Sequence, residues 1–308
     1  MRICVIGDAM LDIYIYGKVF RVNPEYPSLI LTLNDFLEKK AKFEIGGAGN
    51  VFENIVNLGL EACFISRIGK DVFGKKLKNM LSEVSKSVHL FEEKNLPTIC
   101  KMRFVDESSN AILLRVDIEK TEEFGRINEI KNFLEDIDIF VISDYNKGMI
   151  TEELVNLMKS SNAKIVVDAK PKNKEFYRDV FLIKVNESEA REYAEKDLKN
   201  DVKLCKHLTN QYNANFVITK KDGFIFGKKG KNVEVLKFEY KTKAIAKSVA
   251  GAGDVFLSGI VYGLANNYSL YEACKIGYFL AKSSVTKEGT CKISREDARK
   301  IATQLQHK

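Results

Sequence analysis

Histidine is scarce in this 308-residue chain, and His89, His207 and His307 share no metal-ligand spacing. No structural metal is therefore expected. The six cysteines (Cys4, Cys63, Cys100, Cys205, Cys274, Cys291) lie far apart and form no C-x-x-C pair. Several sit inside apolar runs, which fits reduced thiols of a cytoplasmic protein better than a disulfide framework or a zinc site. No stretch approaches the roughly 18 consecutive apolar residues of a membrane span. The N-terminus, Met1 to Gly7, is too short for a secretory signal and reads as a first strand. Net charge is +7, yet there is no basic stripe: the lysines are scattered, as in Lys39-Lys40, Lys75-Lys76 and Lys228-Lys229. A solvated lysine-rich surface follows, with no nucleic-acid or membrane partner expected and with room for anionic small substrates. Low-complexity linkers and solenoid repeats are also lacking.

Hydrophobic residues make up 45% and charged residues 30% of the chain, ordinary for a globular protein with a large core. Short apolar runs at Ile3–Gly7, Ala62–Ser66, Ile139–Ser143, Lys164–Asp168, Phe181–Lys184 and Phe216–Thr219 read as buried strands. Amphipathic stretches at Gly49–Leu58, Val72–Leu81, Glu152–Lys159 and Glu187–Ala194 alternate with them. This alternation predicts an α/β fold, a mostly parallel sheet flanked by helices. The last third differs. Strands at Gly223–Gly227 and Val233–Tyr240 precede helices at Asp254–Ala265, Ser269–Ser284 and Ser294–Gln304.

Two regions break the alternation. Tyr14–Tyr16 with Ser28–Leu33, and Thr98–Val105 with Ala111–Val116, read as antiparallel ribbons, the second pair joined by the polar turn Asp106 to Asn110. They are expected to form a small β lid, from about 12–45 and 97–117, on a single domain spanning 1–308. Leu29, Leu31, Ile112 and Leu114 fall on one face of these ribbons. An uncovered apolar ribbon is an aggregation hazard, and pairing with a second copy would cover it, so a homodimer through the lid is expected.

The stretch Ala250-Gly251-Ala252-Gly253-Asp254-Val255-Phe256 carries the most chemistry. Small residues leave successive backbone N–H groups uncovered, and the apolar helix that follows adds the positive end of its dipole. Such a turn cradles an anion. In phosphoryl transfer it would hold the charge developing on the migrating group. Asp254, at the first turn of that helix, would accept a hydroxyl proton. An ordinary aspartate, with a pKa of about 4, is ionised at neutral pH. The same residues could also be only a loop and a helix start.

Three motifs carry a resemblance to a known family. Ser248-Val249-Ala250-Gly251-Ala252-Gly253-Asp254 resembles the D-x-T-G-A-G-D signature of the ribokinase-like (PfkB) sugar kinases. Gly46-Gly47-Ala48-Gly49-Asn50-Val51, followed by Asn54 and Leu58-Gly59, is similar to the family's glycine signature, and Asn186-Glu187-Ser188-Glu189 to its N-x-x-E. The likeness runs over nearly the whole chain. Within the family, Gly7-Asp8-Ala9-Met10-Leu11-Asp12, Tyr16-Gly17 and Asn23-Pro24-Glu25-Tyr26-Pro27 resemble the opening of the bacterial heptose-7-phosphate kinases. So do Pro97 to Arg103 and Ser143-Asp144-Tyr145-Asn146-Lys147-Gly148. Those enzymes phosphorylate the anomeric hydroxyl of D-glycero-D-manno-heptose 7-phosphate for lipopolysaccharide precursors. Many carry a second, nucleotidyltransferase domain. A chain ending at Lys308 is expected to hold the kinase part alone.

The resemblance implies ATP as co-substrate, Mg2+ as cofactor and a role for each matching residue. Asp254 would be the base and Gly251, Ala252 and Gly253 the anion-binding turn. Asp12, Gly46, Gly47 and Asn50 would hold sugar hydroxyls. Lys101 and Arg103, two apart on a lid strand and so on one face, would grip the sugar's phosphate; they could equally be an exposed polar face. Asp144 and Lys147 would lie at a strand's carboxyl end, where open α/β sheets place ligands. Asp168 and Lys170 match the branch's D-P-K, with Ala169 where proline is usual. Asn186 and Glu189 would orient magnesium through water, although they also make a good helix N-cap pair. Thr219 and Gly223 would contact the nucleotide, and Lys184 and Lys220 would neutralise phosphate.

The chain departs from the family pattern at Ser248 and Ala250, near where many members hold a monovalent cation, and at Tyr278, near the adenine of the heptose branch. Nucleotide preference and cation activation are thereby open. So is substrate identity: another sugar, sugar phosphate or nucleoside would suit the same fold, as would a catalytically weak ligand-binding relative.

Overall fold

The computed structural model describes residues 1–35, 37–240, 250–286 and 293–306. Ser248, Cys291 and His307 lie outside the described residues. The strands are β1 (Ile3–Gly7), β2 (Ala9–Val22), β3 (Leu29–Thr32), β4 (Ala41–Gly47), β5 (Ala62–Gly69), β6 (Val88–Glu93), β7 (Cys100–Asp106), β8 (Ile112–Ile118), β9 (Ile139–Asp144), β10 (Lys164–Ala169), β11 (Leu182–Asn186), β12 (Asn215–Lys220), β13 (Gly223–Lys228) and β14 (Glu234–Glu239). The helices are α1 (Leu37–Lys40), α2 (Ala48–Asn57), α3 (Val72–Val84), α4 (Ile127–Ile130), α5 (Glu152–Lys159), α6 (Glu187–Ala194), α7 (Asp201–Tyr212), α8 (Ala252–Ala265), α9 (Leu270–Ser284) and α10 (Arg295–Gln306).

Nine strands form the main sheet in the order β14-β13-β12-β11-β10-β9-β1-β5-β6. From β12 to β6 every pairing is parallel; β13 and β14 continue it antiparallel. Strand β1 shows why its residues form an unbroken apolar run. Cys4 and Ile6 point into one core cluster, with Leu154 of α5, Tyr193 of α6 and Leu208 of α7. Ile3 and Val5 point into the other, with Phe52 of α2, Leu81 of α3 and Leu257 of α8. A sheet covered on both faces wants hydrophobic residues at every position. The expected strand-helix alternation is thus present as three layers.

The second sheet contains β3-β2-β7-β8, with β4 also paired to β2. Both expected ribbons are antiparallel, and a further pairing joins them. β2 pairs β3 and β4 antiparallel, and β7 pairs β8 antiparallel, but β2 and β7 run parallel, from Leu11 opposite Cys100 to Gly17 opposite Asp106. Parallel neighbours need a long crossover. Here the chain passes through β4, α2, β5, α3 and β6 before returning as β7. Only Asp8 separates β1 from β2, so the chain passes directly from one sheet to the other. Strands β4 and β6 and helix α7 were not anticipated. The end of β4 overlaps the glycine motif, and the buried face of α7 (Leu204, Cys205, Leu208, Thr209 and Tyr212) is interrupted by polar residues.

Candidate active site

The carboxyl ends of β9, β10, β11 and β12 meet the start of α8 around a cavity of about 260 Å³. Asp144, Asp168, Lys170, Lys184, Asn186, Glu189, Thr219, Gly251, Gly253 and Asp254 all line it. Carboxyl ends of parallel strands are where such folds gather their ligands.

Helix α8 is buried from Asp254 to Leu264. Its N-cap, Gly251, has φ 74° and makes no side-chain cap. That left-handed conformation suits glycine and leaves the first N–H groups of the helix without intrahelical partners. Gly253 meets a second demand: a Cβ there would come within 2.9 Å of Lys184 Nζ. The turn therefore presents backbone donors with an ammonium beside them, a geometry made for an anion.

Asp254 is 7% exposed. Asn50 Nδ2 donates to its Oδ2 at 2.7 Å, and the Tyr145 hydroxyl donates to its Oδ1 at 3.0 Å. Burial pushes its carboxyl up to about 6, Asp168 adds to the rise, and the Asn50 and Tyr145 hydrogen bonds and Lys184 oppose it. The sequence expectation of an ordinary value near 4 is corrected accordingly. The physical reason is desolvation, which penalises the charged form. A carboxylate of this kind is ionised at neutral pH and is a stronger proton acceptor than a free aspartate.

Lys184 Nζ lies 2.5 Å from Asp168 Oδ2, and its side chain is 5% exposed. Lys170 pairs with Glu189 Oε1. Glu189 also takes the Asn186 N–H on Oε2, while Asn186 Oδ1 accepts the Glu189 N–H, a complete capping box at α6. The predicted cap is present, and both residues also line the cavity. No group of three or more His, Cys, Asp or Glu that could hold a metal occurs among the described residues. Asn186 and Glu189 put one amide and one carboxylate on the cavity wall, a set that would fit magnesium, which keeps much of its water and leans on one or two carboxylates plus phosphate.

Most of the other predicted residues are not on that wall. Asp12 on β2 takes Arg103 Nη1 on Oδ1 at 2.5 Å, and Arg103 also lies over the Tyr14 ring. Asp12 Oδ2 occupies the space a Cβ on Gly46 would need, 2.2 Å away, and Gly47 starts α2 with φ 58°. Lys101, opposite Asp12, places its ammonium 5.5 Å from the centre of the Tyr145 ring. Asp144 is engaged: Tyr177 OH, Asn173 Nδ2 and Asn146 N–H all donate to it. Lys147 Nζ pairs with Glu119 and lines a different, smaller cavity. Lys220 pairs with Asp201 and Glu187, away from the cavity wall. Gly223 is required by the sheet, since a Cβ would clash with the Phe238 carbonyl at 1.9 Å. Tyr278 is buried among Phe224, Phe238, Tyr240 and Phe279, and its hydroxyl donates to the Tyr240 carbonyl.

Two residues without a role in the sequence reading organise the site. Asp8, between β1 and β2, accepts the N–H groups of Tyr145, Lys147 and Met149 at 2.9, 3.1 and 3.1 Å. It thereby shapes the loop that delivers the second, Tyr145, to Asp254. Both lie inside quoted motifs, so the available signal was position: a carboxylate directly after a buried strand, and a tyrosine between two polar site candidates.

Three comparisons bear on this geometry. Residues 2–297 match the family model described as pfkB family carbohydrate kinase. The chain is 32% identical over 311 residues to the bifunctional protein HldE of a Nitratiruptor species, covering 96% of this chain and 64% of the relative. It is 29% identical over 309 residues to the protein of that name from Campylobacter fetus subsp. fetus, covering 96% and 65%. The chain thus spans just under two thirds of the length of these curated relatives. Among solved structures, phosphofructokinase-2 from Escherichia coli in complex with potassium superposes with a TM-score of 0.79 at 20% identity, over 99% of both chains. Ribokinase from Thermotoga maritima does so with a TM-score of 0.74 at 20% identity, over 98% and 99%. These likenesses carry the fold, which is ribokinase-like, and the family match carries the class of chemistry. The chain belongs to the pfkB family of carbohydrate kinases, enzymes that move a phosphoryl group from ATP to a sugar.

Proposed function

We propose that the chain phosphorylates the anomeric hydroxyl of a heptose 7-phosphate, using ATP, in the synthesis of precursors for lipopolysaccharide or another surface glycan. The observation that carries the reading is the seat of Asp254, a buried carboxylate one residue after the anion-binding turn and facing the cavity of Lys184 and Glu189. The heptose assignment draws on the motifs at Asp8–Asp12, Pro97–Arg103 and Ser143–Gly148 and on the HldE relatives.

In this reading Asp254 takes the proton of the attacking hydroxyl, and Asn50 keeps its carboxylate oriented. The N–H groups of the Gly251–Gly253 turn, with Lys184, receive the charge that develops on the transferred phosphoryl. Magnesium, held through water near Asn186 and Glu189, supplies further neutralisation. Asp12, Gly46, Gly47 and Asn50 hold the sugar hydroxyls. Lys101 and Arg103 face the sugar's own phosphate from the second sheet, which acts as the lid. Thr219 belongs to the nucleotide side, and Asp168 and Lys170 to the substrate side of the cavity.

The lid would also be the dimer contact. Phe20, Val22, Leu29, Ile112, Leu114 and Val116 are exposed on it, whereas Leu31 is partly buried. A cytoplasmic setting follows from the ATP requirement; no helix among the described residues is long and apolar enough to cross a membrane. The test is ATP consumption against a panel of heptose 7-phosphate, hexose phosphates, free sugars and nucleosides. Turnover highest with heptose 7-phosphate supports the assignment. A hundredfold preference for another member would replace it, and no turnover with any would favour a ligand-binding relative.

A further inference from the structure

Tyr145 stands between the second sheet and the proposed base. Its hydroxyl donates to Asp254 Oδ1 at 3.0 Å, and its ring takes the Lys101 ammonium of β7 at 5.5 Å from the centroid. Its backbone is held independently. The Tyr145 N–H donates to Asp8 Oδ2, and Asp8 also takes the Lys147 and Met149 N–H groups. Arg67, 8% exposed, closes the other side of this loop by donating to the carbonyls of Lys147 and Glu122. Asn146 adopts φ 58° within it, so the loop is a fixed, turned-in structure carrying one phenol to one carboxylate.

We propose that Tyr145 is a positioning residue for Asp254: it fixes the plane of the carboxylate, holds it in the ionised form, and passes to it the placement of the second sheet through Lys101. The inference rests on Asp254 being the base. The chemistry is that of a neutral donor on a charged acceptor. Burial raises the phenol well above its ordinary value, and the negative charges of Asp254, Asp168 and Asp12 raise it further, so the hydroxyl keeps its proton and always donates. A hydrogen bond given to a carboxylate favours the charged form. A cation over a phenol ring is held by the ring's quadrupole, so the second sheet and the base share one side chain. The charged groups around the Tyr145–Asp254 pair are Asp168 and Lys170 of β10 and the segment after it, Lys184 of β11, Asp12 of β2 and Lys101 of β7. None of these donates a hydrogen bond to Asp254 among the described residues; Asn50 is the other donor.

The test is Tyr145→Phe, which keeps the ring and the backbone contacts and removes the donor. In the wild type the acidic limb of the kcat/KM profile is expected near 6. In Tyr145→Phe it moves up by roughly one unit, the scale of one hydrogen bond to a charged group, so the rate below the limb falls about tenfold. A limb that stays in place overturns the proposal. A second readout needs no substrate: the carboxyl carbon of Asp254, followed by NMR in aspartate-labelled protein, titrates near 6 in the wild type and about one unit higher in Tyr145→Phe. If the carboxyl shifts but no sugar is phosphorylated by the wild type, the kinase reading fails and the placement of Tyr145 stands. If turnover is normal and the carboxyl titrates unchanged, the reverse holds. Lys101→Gln should move the titration in the same direction by less; no movement there removes the second sheet from the proposal.

Discussion

The ammonium of Lys184 lies 2.5 Å from the carboxylate of Asp168, and a Cβ on Gly253 would come within 2.9 Å of the same nitrogen. One buried cation thus touches both the cavity wall and the turn proposed to receive the migrating charge.

Lys184→Met should therefore damage stability and catalysis together. Breaking a buried pair leaves an uncompensated charge, typically costing about 3–5 kcal/mol. Burial already raises the Asp168 carboxyl, and losing Lys184 raises it further, so the residue escapes part of that cost by taking up a proton. A loss of about 2 kcal/mol in denaturant unfolding, with kcat at least about a hundredfold lower, is the expected outcome. Lys184→Arg, which keeps the charge, should retain more of both. A Lys184→Met variant with wild-type kcat would show that the ammonium is structural only.

Asp254 gives a pH-dependent stability. Its folded value is about 6 against 3.8 unfolded. A raised carboxyl favours the folded state below the unfolded value, and that contribution is lost as pH rises through 6. Asp254→Asn removes the buried charge, so it should stabilise the protein by about 3 kcal/mol at about pH 7.5 and by much less at about pH 4. Melting temperatures at the two values check this. Equal shifts at both would mean the carboxyl is not desolvated.

Asp12 and Arg103 are bonded at 2.5 Å with side chains 11% and 14% exposed, so the proposed contacts to a sugar hydroxyl and to the sugar's phosphate share one ion pair. Arg103→Ala should raise KM for the phosphorylated sugar and leave KM for ATP alone. Its effect should not add to that of Asp12→Asn: contacting residues show interaction energies of about 0.5–3 kcal/mol in a double-mutant cycle. Additive effects, or equal effects on both substrates, would separate the two residues.

The exposed apolar edge of the second sheet makes the assembly testable. Ile112 and Leu114 on β8 are each 57% exposed. Light scattering at micromolar concentration should give a dimer, and Leu114→Lys should give a monomer of unchanged fold. A wild-type monomer would remove the lid contact from the account.

Much of this was legible in the sequence because burial on both faces writes an unbroken apolar run. The residues of β1 and the cap of α6 read directly. Asn186 is a side-chain acceptor at that start, as its residue type suggests. What was not legible depends on contacts far apart in the chain. The parallel pairing of β2 with β7 needs knowledge of where β7 returns. The elevated proton affinity of Asp254 comes from burial and from Asp168, and it is moderated by hydrogen bonds from Asn50 and Tyr145, 204 and 109 residues away in the chain. Lys147, Lys220 and Gly223 show the converse. Each has a suitable residue type at a suitable place in the chain, yet Glu119, Asp201 and the Phe238 carbonyl account for them.

The most direct measurement of the account is the turnover of Asp254→Asn with ATP and the best sugar of the panel. General base catalysis contributes about a hundred- to ten-thousand-fold, and Asn keeps the shape and the Asn50 contact partner while removing the proton acceptor. The expected result is a kcat lower by that factor with ATP binding nearly unchanged. A variant keeping more than about a third of the wild-type kcat, less than about 1 kcal/mol in barrier height, would contradict the assignment of Asp254 as the base.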